Sequence, residues 1–292
     1  MPESKIQELV IISGKGGTGK TSIAASFAVL AGFPVIADCD VDAADMHLIL
    51  APSVRERHEF RCGNEAVIRP DDCTGCGRCR DLCRFDAIAE VKGGGSYVVD
   101  PVACEGCGVC VRFCPERAID FPESLCGEWM VSETRSGPMV HARLGIAAEN
   151  SGKLVSTVRR EARRLAEENG HRLVLVDGPP GIGCPVIASM TGASQALVVT
   201  EPTVSGEHDL ERVLKLARHF DIPAAVCVNK WDLNPEMTER IEALAVRSGA
   251  RIAGRVRYDR AVTLAQIQEK AVVEIDAPSA GDIRLVWESL GL

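Results

Sequence analysis

Eight residues near the start of the chain limit its fold more than any other stretch. Gly14-Lys15-Gly16-Gly17-Thr18-Gly19-Lys20-Thr21 satisfies G-x-x-x-x-G-K-[ST]. The apolar run Leu9 to Ser13 precedes it, and a segment of helical composition, Thr21 to Ala31, follows it. A strand, a glycine loop and a helix in that order turn backbone N–H groups inward around a β-phosphate, and the helix N-terminus adds partial positive charge. Gly14, Lys15, Gly16, Gly17, Thr18 and Gly19 are therefore expected to surround a nucleotide's phosphates. Lys20 is expected to neutralise the β- and γ-phosphates, and the Thr21 hydroxyl to ligate Mg²⁺.

The rest of the chain, apart from residues 61–122, alternates short apolar runs with helical patterns. Val35 to Ala37, Leu173 to Val176, Ala196 to Thr200, Ala224 to Val228 and Arg251 to Val256 read as buried strands. Helices are expected over Gly152 to Asn169, His208 to Phe220 and Glu236 to Ser248. Continuous apolar strands between helices predict an α/β architecture with a mainly parallel sheet. The 292 residues suit about two domains, and 46% hydrophobic residues exclude whole-chain disorder. The longest uncharged apolar run, Ile23 to Ala37, is too short to span a membrane. The opening Met-Pro-Glu-Ser-Lys lacks the pattern of a signal peptide, so a cytoplasmic protein is expected. With 33 basic against 41 acidic residues and no basic run, no nucleic-acid partner is predicted.

Thirteen cysteines are unusual, and nine of them lie between Cys62 and Cys114. A reducing compartment argues for metal or redox chemistry rather than disulfides. Cys73, Cys76, Cys79 and Cys83 recur 31 residues later as Cys104, Cys107, Cys110 and Cys114, and Ala87-Ile88 recurs as Ala118-Ile119. The spacing C-x₂-C-x₂-C-x₃-C is that of bacterial ferredoxins, in which the fourth cysteine ligates the other cluster. Two [4Fe–4S] clusters are expected, one on Cys73, Cys76, Cys79 and Cys114, the other on Cys104, Cys107, Cys110 and Cys83. A zinc module is the competing reading, although zinc sites usually pair two C-x-x-C motifs across a longer gap. Residues 61–122 are thus expected to form an α+β ferredoxin-like domain inserted into a discontinuous P-loop domain of residues 1–60 and 123–292.

The loop Lys15-Gly-Gly-Thr-Gly-Lys-Thr21 resembles the deviant Walker A of the MinD/ParA/nitrogenase-iron-protein class of ATPases, and further segments fit the same class. Asp40, in Asp38-Cys39-Asp40-Val41-Asp42, stands where that family keeps its switch I aspartate, and Asp177, in Asp177-Gly-Pro-Pro-Gly181, resembles its Walker B and switch II. The resemblance implies that Lys15 reaches a partner's nucleotide in an ATP-sandwich homodimer. It further implies that Asp40 orients the attacking water, that Asp40 and Asp177 hold Mg²⁺ through its hydration shell, and that Asn229 meets the base. The alternative for Lys15 is a solvated loop lysine. Asn229-Lys-Trp-Asp232 taken alone is a guanine-reading pattern, so ATP is preferred and GTP stays open. In Val256-Arg257-Tyr258-Asp259, Arg257 replaces a family proline, and no base contact is assigned there.

Cys184, seven residues after Asp177, is similar to the nitrogenase iron protein's bridging-cluster ligand, and Cys126 offers a second ligand for a third, shared [4Fe–4S] cluster; two small buried hydrophobes are the other reading. The tail from Gly281 to Leu292 is unlike a basic membrane anchor. The resemblance covers nearly the whole chain, and such chains are sometimes labelled cobyrinic acid a,c-diamide synthase, though no glutaminase-like half is visible. It implies an ATPase linked to electron transfer toward an unknown redox partner. The alternatives are a scaffold that passes a metal cofactor to an apo-protein acceptor, and a ParA-like positioning ATPase with structural clusters.

Overall fold

The computed structural model describes residues 6–145 and 152–292; the first five residues, read above for a leader, lie outside the described residues. The chain begins with β1 (Gln7–Ser13), α1 (Lys20–Leu30), β2 (Val35–Asp38), α2 (Met46–Leu50) and the long β3 (Ser53–Asn64). Short pieces follow: β4 (Val67–Ile68), α3 (Arg78–Leu82), β5 (Ile88–Glu90), β6 (Tyr97–Val99), α4 (Val109–Phe113) and β7 (Ile119–Asp120). Next come β8 (Glu123–Thr134), β9 (Gly137–Leu144), α5 (Gly152–Asn169), β10 (Leu173–Pro180), α6 (Cys184–Met190) and β11 (Gln195–Thr200). The chain closes with α7 (Val204–His219), β12 (Ala224–Asn229), α8 (Pro235–Arg247), β13 (Arg251–Val256), α9 (Ala261–Ile267) and α10 (Pro278–Leu290).

The described residues of 1–58, 128–144 and 150–292 form one compact unit, and those of 59–127 with 145–149 form a second. The first is an α/β P-loop unit. Among the described residues, nine strands make one sheet in the order β13-β12-β11-β1-β10-β2-β9-β8-β3, with parallel pairing from β13 through β9. Leu9 to Ile12, Val174 to Val176 and Val198-Val199 are buried almost completely, because helices cover the central strands on both faces. α1 is rich in small residues, and Ala24, Ala25 and Ala28 lie buried beside Ile23 and Phe27.

α7 begins at Val204, four residues before the helical pattern suggested. The Thr203 hydroxyl accepts the Gly206 N–H (3.0 Å) and caps an earlier first turn. The tail is a core element. Ala280, Ile283, Val286 and Leu290 of α10 are buried, and Trp287 packs on Phe27 with ring centroids 5.0 Å apart. No helix of the described residues is long and apolar enough to cross a membrane.

In the second unit the sequence repeat is also a backbone repeat. α3 and α4 start at equivalent stations, each preceded by a glycine in the left-handed region, Gly77 (φ 76°) and Gly108 (φ 71°). That conformation costs other residues about 1–2 kcal/mol, which accounts for glycine at both positions. β4 pairs antiparallel with β7, and β5 with β6. The repeated Ala87-Ile88 and Ala118-Ile119 are all buried, and Ile68, Ile88, Tyr97 and Ile119 form a small core against which Cys73, Cys83, Cys104, Cys110 and Cys114 pack.

Candidate nucleotide site and cysteine cavities

Residues 14–19 connect β1 to α1, and Lys20 opens the helix with its ammonium group turned toward acidic residues. Lys20 Nζ lies 2.8 Å from Asp177 Oδ1, 3.2 Å from Asp40 Oδ2 and 3.4 Å from Thr21 Oγ1. Parallel register sets Asp177 of β10 directly beside Asp38 at the end of β2. One ammonium therefore faces three buried carboxylates. Burial opposes the charge on Lys20, but Asp177, Asp40 and Asp38 together raise its pKa above the ordinary lysine value. Burial raises the pKa values of Asp38 and Asp40, aided by Asp177 and opposed by Lys20.

Asp38 Oδ2, Asp177 Oδ2 and Thr18 Oγ1 are buried without a hydrogen-bond partner. Orphaned carboxylate oxygens beside a surplus of negative charge fit a hydrated divalent cation, and the phosphate loop fits the anion that accompanies it. Sequence reasoning passed over Asp38. Its place beside Asp177 is set by the register of two strands distant in sequence.

The structure brings Asn229, the last residue of β12, against the loop. Its Nδ2 donates to the Thr18 carbonyl (2.7 Å), and a side chain at Gly19 would overlap it. Gly19 itself has φ 85°. Lys15 is not simply solvated: its Nζ lies 3.2 Å from Ser205 Oγ, 3.4 Å from Thr203 Oγ1 and 3.4 Å from Glu201 Oε2, at the start of α7 in the same chain. Glu201 also pairs with Lys230, whose Nζ donates to the Gly17 carbonyl (3.3 Å). Glu201 was not expected to be part of the site.

A cavity of about 240 Å³ opens beside Gly19 and Asn229, bounded also by Ile23, Val256, Tyr258 and Val262. Asp232 is not among the residues that line it, and its Oδ1 accepts the Tyr258 N–H at 2.7 Å. The Arg257 guanidinium is held by Asp282 at 2.7 and 2.8 Å, although the Arg257 backbone runs along the cavity.

In the second unit two cavities are lined by cysteines. Cys73, Cys76, Cys79 and Cys114 line one. Cys83, Cys104, Cys107 and Cys110 line the other. Each draws three cysteines from one half of the repeat and the fourth from the other half. Among the described residues, no three His, Cys, Asp or Glu side chains converge closely enough to hold a single metal ion.

Cys126 is bonded to Cys62 within the second unit, so its sulfur is not free to share a cluster with Cys184. The expectation that disulfides would be absent is corrected by the same pair, which the strand pairing β8-β3 makes adjacent. Cys184 is an exposed residue at the first position of the seven-residue α6. Cys39 and Cys227 are buried, and burial pushes both thiols well above their ordinary range, the Cys227 thiol to about 12.

Comparison with known proteins agrees with the geometry of the first unit. The uncharacterized protein MJ0578 of Methanocaldococcus jannaschii is 34% identical over 232 residues, covering 78% of this chain and 80% of that protein. Among solved structures, the fold resembles the cell division ATPase MinD of Pyrococcus furiosus (TM-score 0.58, 16% identity, 98% of each chain). It also resembles septum site-determining MinD complexed with Mg-ADP from Pyrococcus horikoshii (TM-score 0.60, 16% identity, 98% and 96% covered). The apo form of Cyanothece McdA is similar to the same degree (TM-score 0.58, 16% identity, 98% and 100% covered). These similarities concern the ATPase fold, and the expected iron–sulfur clusters and electron transfer gain no support from them. Residues 9–272 match the CobQ/CobB/MinD/ParA nucleotide-binding domain, and the chain belongs to that family of P-loop ATPases.

Proposed function

We propose that the protein binds and hydrolyses Mg-ATP in a homodimer and couples its nucleotide state to an inserted 2[4Fe–4S] unit that carries electrons. The nucleotide half rests on the Lys20, Asp38, Asp40 and Asp177 cluster, whose orphaned oxygens suit hydrated Mg²⁺. Lys20 and the loop N–H groups would bind the β- and γ-phosphates, Thr21 would ligate the metal, and Asp40 would orient water. Lys15 would leave Glu201 to reach a partner's phosphate. The base taken by the cavity beside Asn229 would be adenine, since Asp232, which would have to read guanine, does not line it.

The redox half is carried by a single observation, the crossed pairing of cysteines around two cavities. Each cavity takes three cysteines from one half of the repeat and a fourth from the other, the arrangement that two ferredoxin-type clusters require. Such clusters supply one-electron redox chemistry when bound; the chain's own part is to hold them and to exclude water with Ile68, Ile88, Tyr97 and Ile119. The cluster-holding unit in this reading is residues 61–122, inserted into a P-loop domain of residues 1–60 and 123–292.

Anaerobic reconstitution followed by iron analysis and redox titration tests this reading. About eight iron atoms per chain, with potentials that move on adding Mg-ATP, are expected. Cluster potentials indifferent to nucleotide, with ATP-dependent iron loss to an apo-protein, would instead support a cofactor scaffold. A second reading, a positioning ATPase with structural clusters, is favoured by the likeness to MinD and McdA. Its mark would be ATP-dependent assembly on a cellular surface with no effect of nucleotide on the clusters.

A further inference from the structure

Two cysteines outside the repeated set meet in the second unit. Cys62 of β3 and Cys126 of β8 are 64 positions apart, and their sulfurs are bonded with α-carbons 5.8 Å apart. That spacing is normal for a disulfide between neighbouring strands. The two residues differ modestly in access, since Cys62 is partly buried and Cys126 buried. β3 also packs on the loop between two of the cavity cysteines. Two residues beyond Cys62, the Asn64 carbonyl comes so close to Gly106 that a side chain at Gly106 would overlap it. Gly106 lies between Cys104 and Cys107 of the second cavity, and Asn64 Nδ2 donates to the carbonyl of Phe121, another residue of that cavity's wall (2.9 Å).

We propose that Cys62 and Cys126 form a reversible two-electron exchange site for external thiols. A thiolate attacks Cys62 Sγ, the more accessible sulfur; the Cys62–Cys126 bond breaks, and Cys126 Sγ leaves as a thiolate that takes a proton from water. A second external thiolate attacks the outer sulfur of the mixed disulfide and releases Cys62. Two thiols are thereby oxidised to one disulfide, while Cys62 and Cys126 together gain two electrons and two protons. The reverse sequence closes the bond. Because Asn64 of β3 packs on Gly106, opening the bond removes a covalent tie to β8 from the strand that supports the loop between Cys104 and Cys107. The exchange itself needs no group in the cavities, so it stands or falls independently of the cluster reading.

The test uses the full chain, purified without oxygen and equilibrated at neutral pH in buffers of reduced and oxidised glutathione. Acid quenching, alkylation and peptide mass spectrometry then read Cys62 and Cys126 separately from the other cysteines. Both are expected to pass together from alkylated to bonded, moving from a tenth to nine-tenths over a roughly hundred-fold change in the [GSH]²/[GSSG] ratio. Cys126→Ser is expected to trap glutathione on Cys62 at least about tenfold faster than Cys62→Ser traps it on Cys126. Two free thiols at every ratio, a bond that survives every ratio in the folded protein, or the reverse order of trapping would overturn the proposal. The wild-type titration decides the matter even where a serine variant folds poorly.

Discussion

Lys20 and Asp177, 157 positions apart, form a buried ion pair of 2.8 Å in which the phosphate-loop lysine is held by the acidic strand behind it. Removing the lysine would leave Asp177, Asp40 and Asp38 facing one another without a counter-charge. Lys20→Met is expected to abolish ATP hydrolysis and to destabilise the nucleotide-free protein by about 3 kcal/mol in urea unfolding. Adding Asp177→Asn should restore at least half of that stability and none of the hydrolysis. An unchanged unfolding midpoint in the single variant would remove the pair from the account of stability.

Gly19 meets two separate demands, a φ of 85° and the closeness of Asn229. Gly19→Ala is expected to weaken ATP binding at least about tenfold, through strain of about 1–2 kcal/mol and displacement of the amide that holds the Thr18 carbonyl. Pairing it with Asn229→Ala removes the overlap but not the backbone strain, so calorimetry should find only partial recovery. Full recovery would mean that the backbone at Gly19 is unstrained.

His141 gives the first unit a pH dependence. Its ring is hydrogen-bonded to the Ser132 hydroxyl at 2.8 Å. Burial, with the nearby His47 and Arg57 charges, lowers its pKa from 6.5 to about 4. The unfolded chain takes up this proton near its ordinary pKa and the folded chain only near pH 4, so stability is present at neutral pH and declines as pH falls from about 6.5 to about 4. The contribution is at most about 3 kcal/mol. His141→Gln should flatten the stability profile across that interval, and a profile of unchanged slope would rule the histidine out.

Asp232 accepts the Tyr258 N–H, and that bond bears on base selection. Competition binding is expected to favour ATP over GTP, and Asp232→Asn to leave the ratio of the two affinities within about threefold, since a neutral amide oxygen still accepts the bond. A collapse of GTP binding in the variant, with ATP unaffected, would show instead that the carboxylate reads guanine.

The crossed cysteine sets predict a pattern of iron loss. Cys114→Ser is expected to lower reconstituted iron from about eight to about four per chain. Adding Cys76→Ser should cost little more, because both residues line the same cavity, whereas adding Cys107→Ser should remove the remainder. Equal losses in the two double variants would mean that the fourth ligand is not exchanged between the halves.

The sequence by itself determined the local elements of this protein. Gly14 to Thr21 specify the loop because left-handed turns and close backbone approach admit few residues other than glycine. Leu9 to Ile12 and Ala196 to Val199 read as strands because buried parallel strands are apolar throughout. The 31-residue echo of cysteines specified two like halves of the second unit, down to Gly77 and Gly108. The long β3 and β8 escaped notice because charged residues such as Arg55, Glu56, Arg57 and Glu133 interrupt any buried-strand pattern. What only the tertiary structure decided depends on which distant strands lie side by side: Asp38 beside Asp177, Glu201 between Lys15 and Lys230, Asn229 against Gly19, and Cys126 bonded to Cys62 rather than free to join Cys184. Periodicity reports which face of a segment is buried, but register across a sheet is set by the packing of the whole chain, and it is register that places charges and sulfurs within reach of one another.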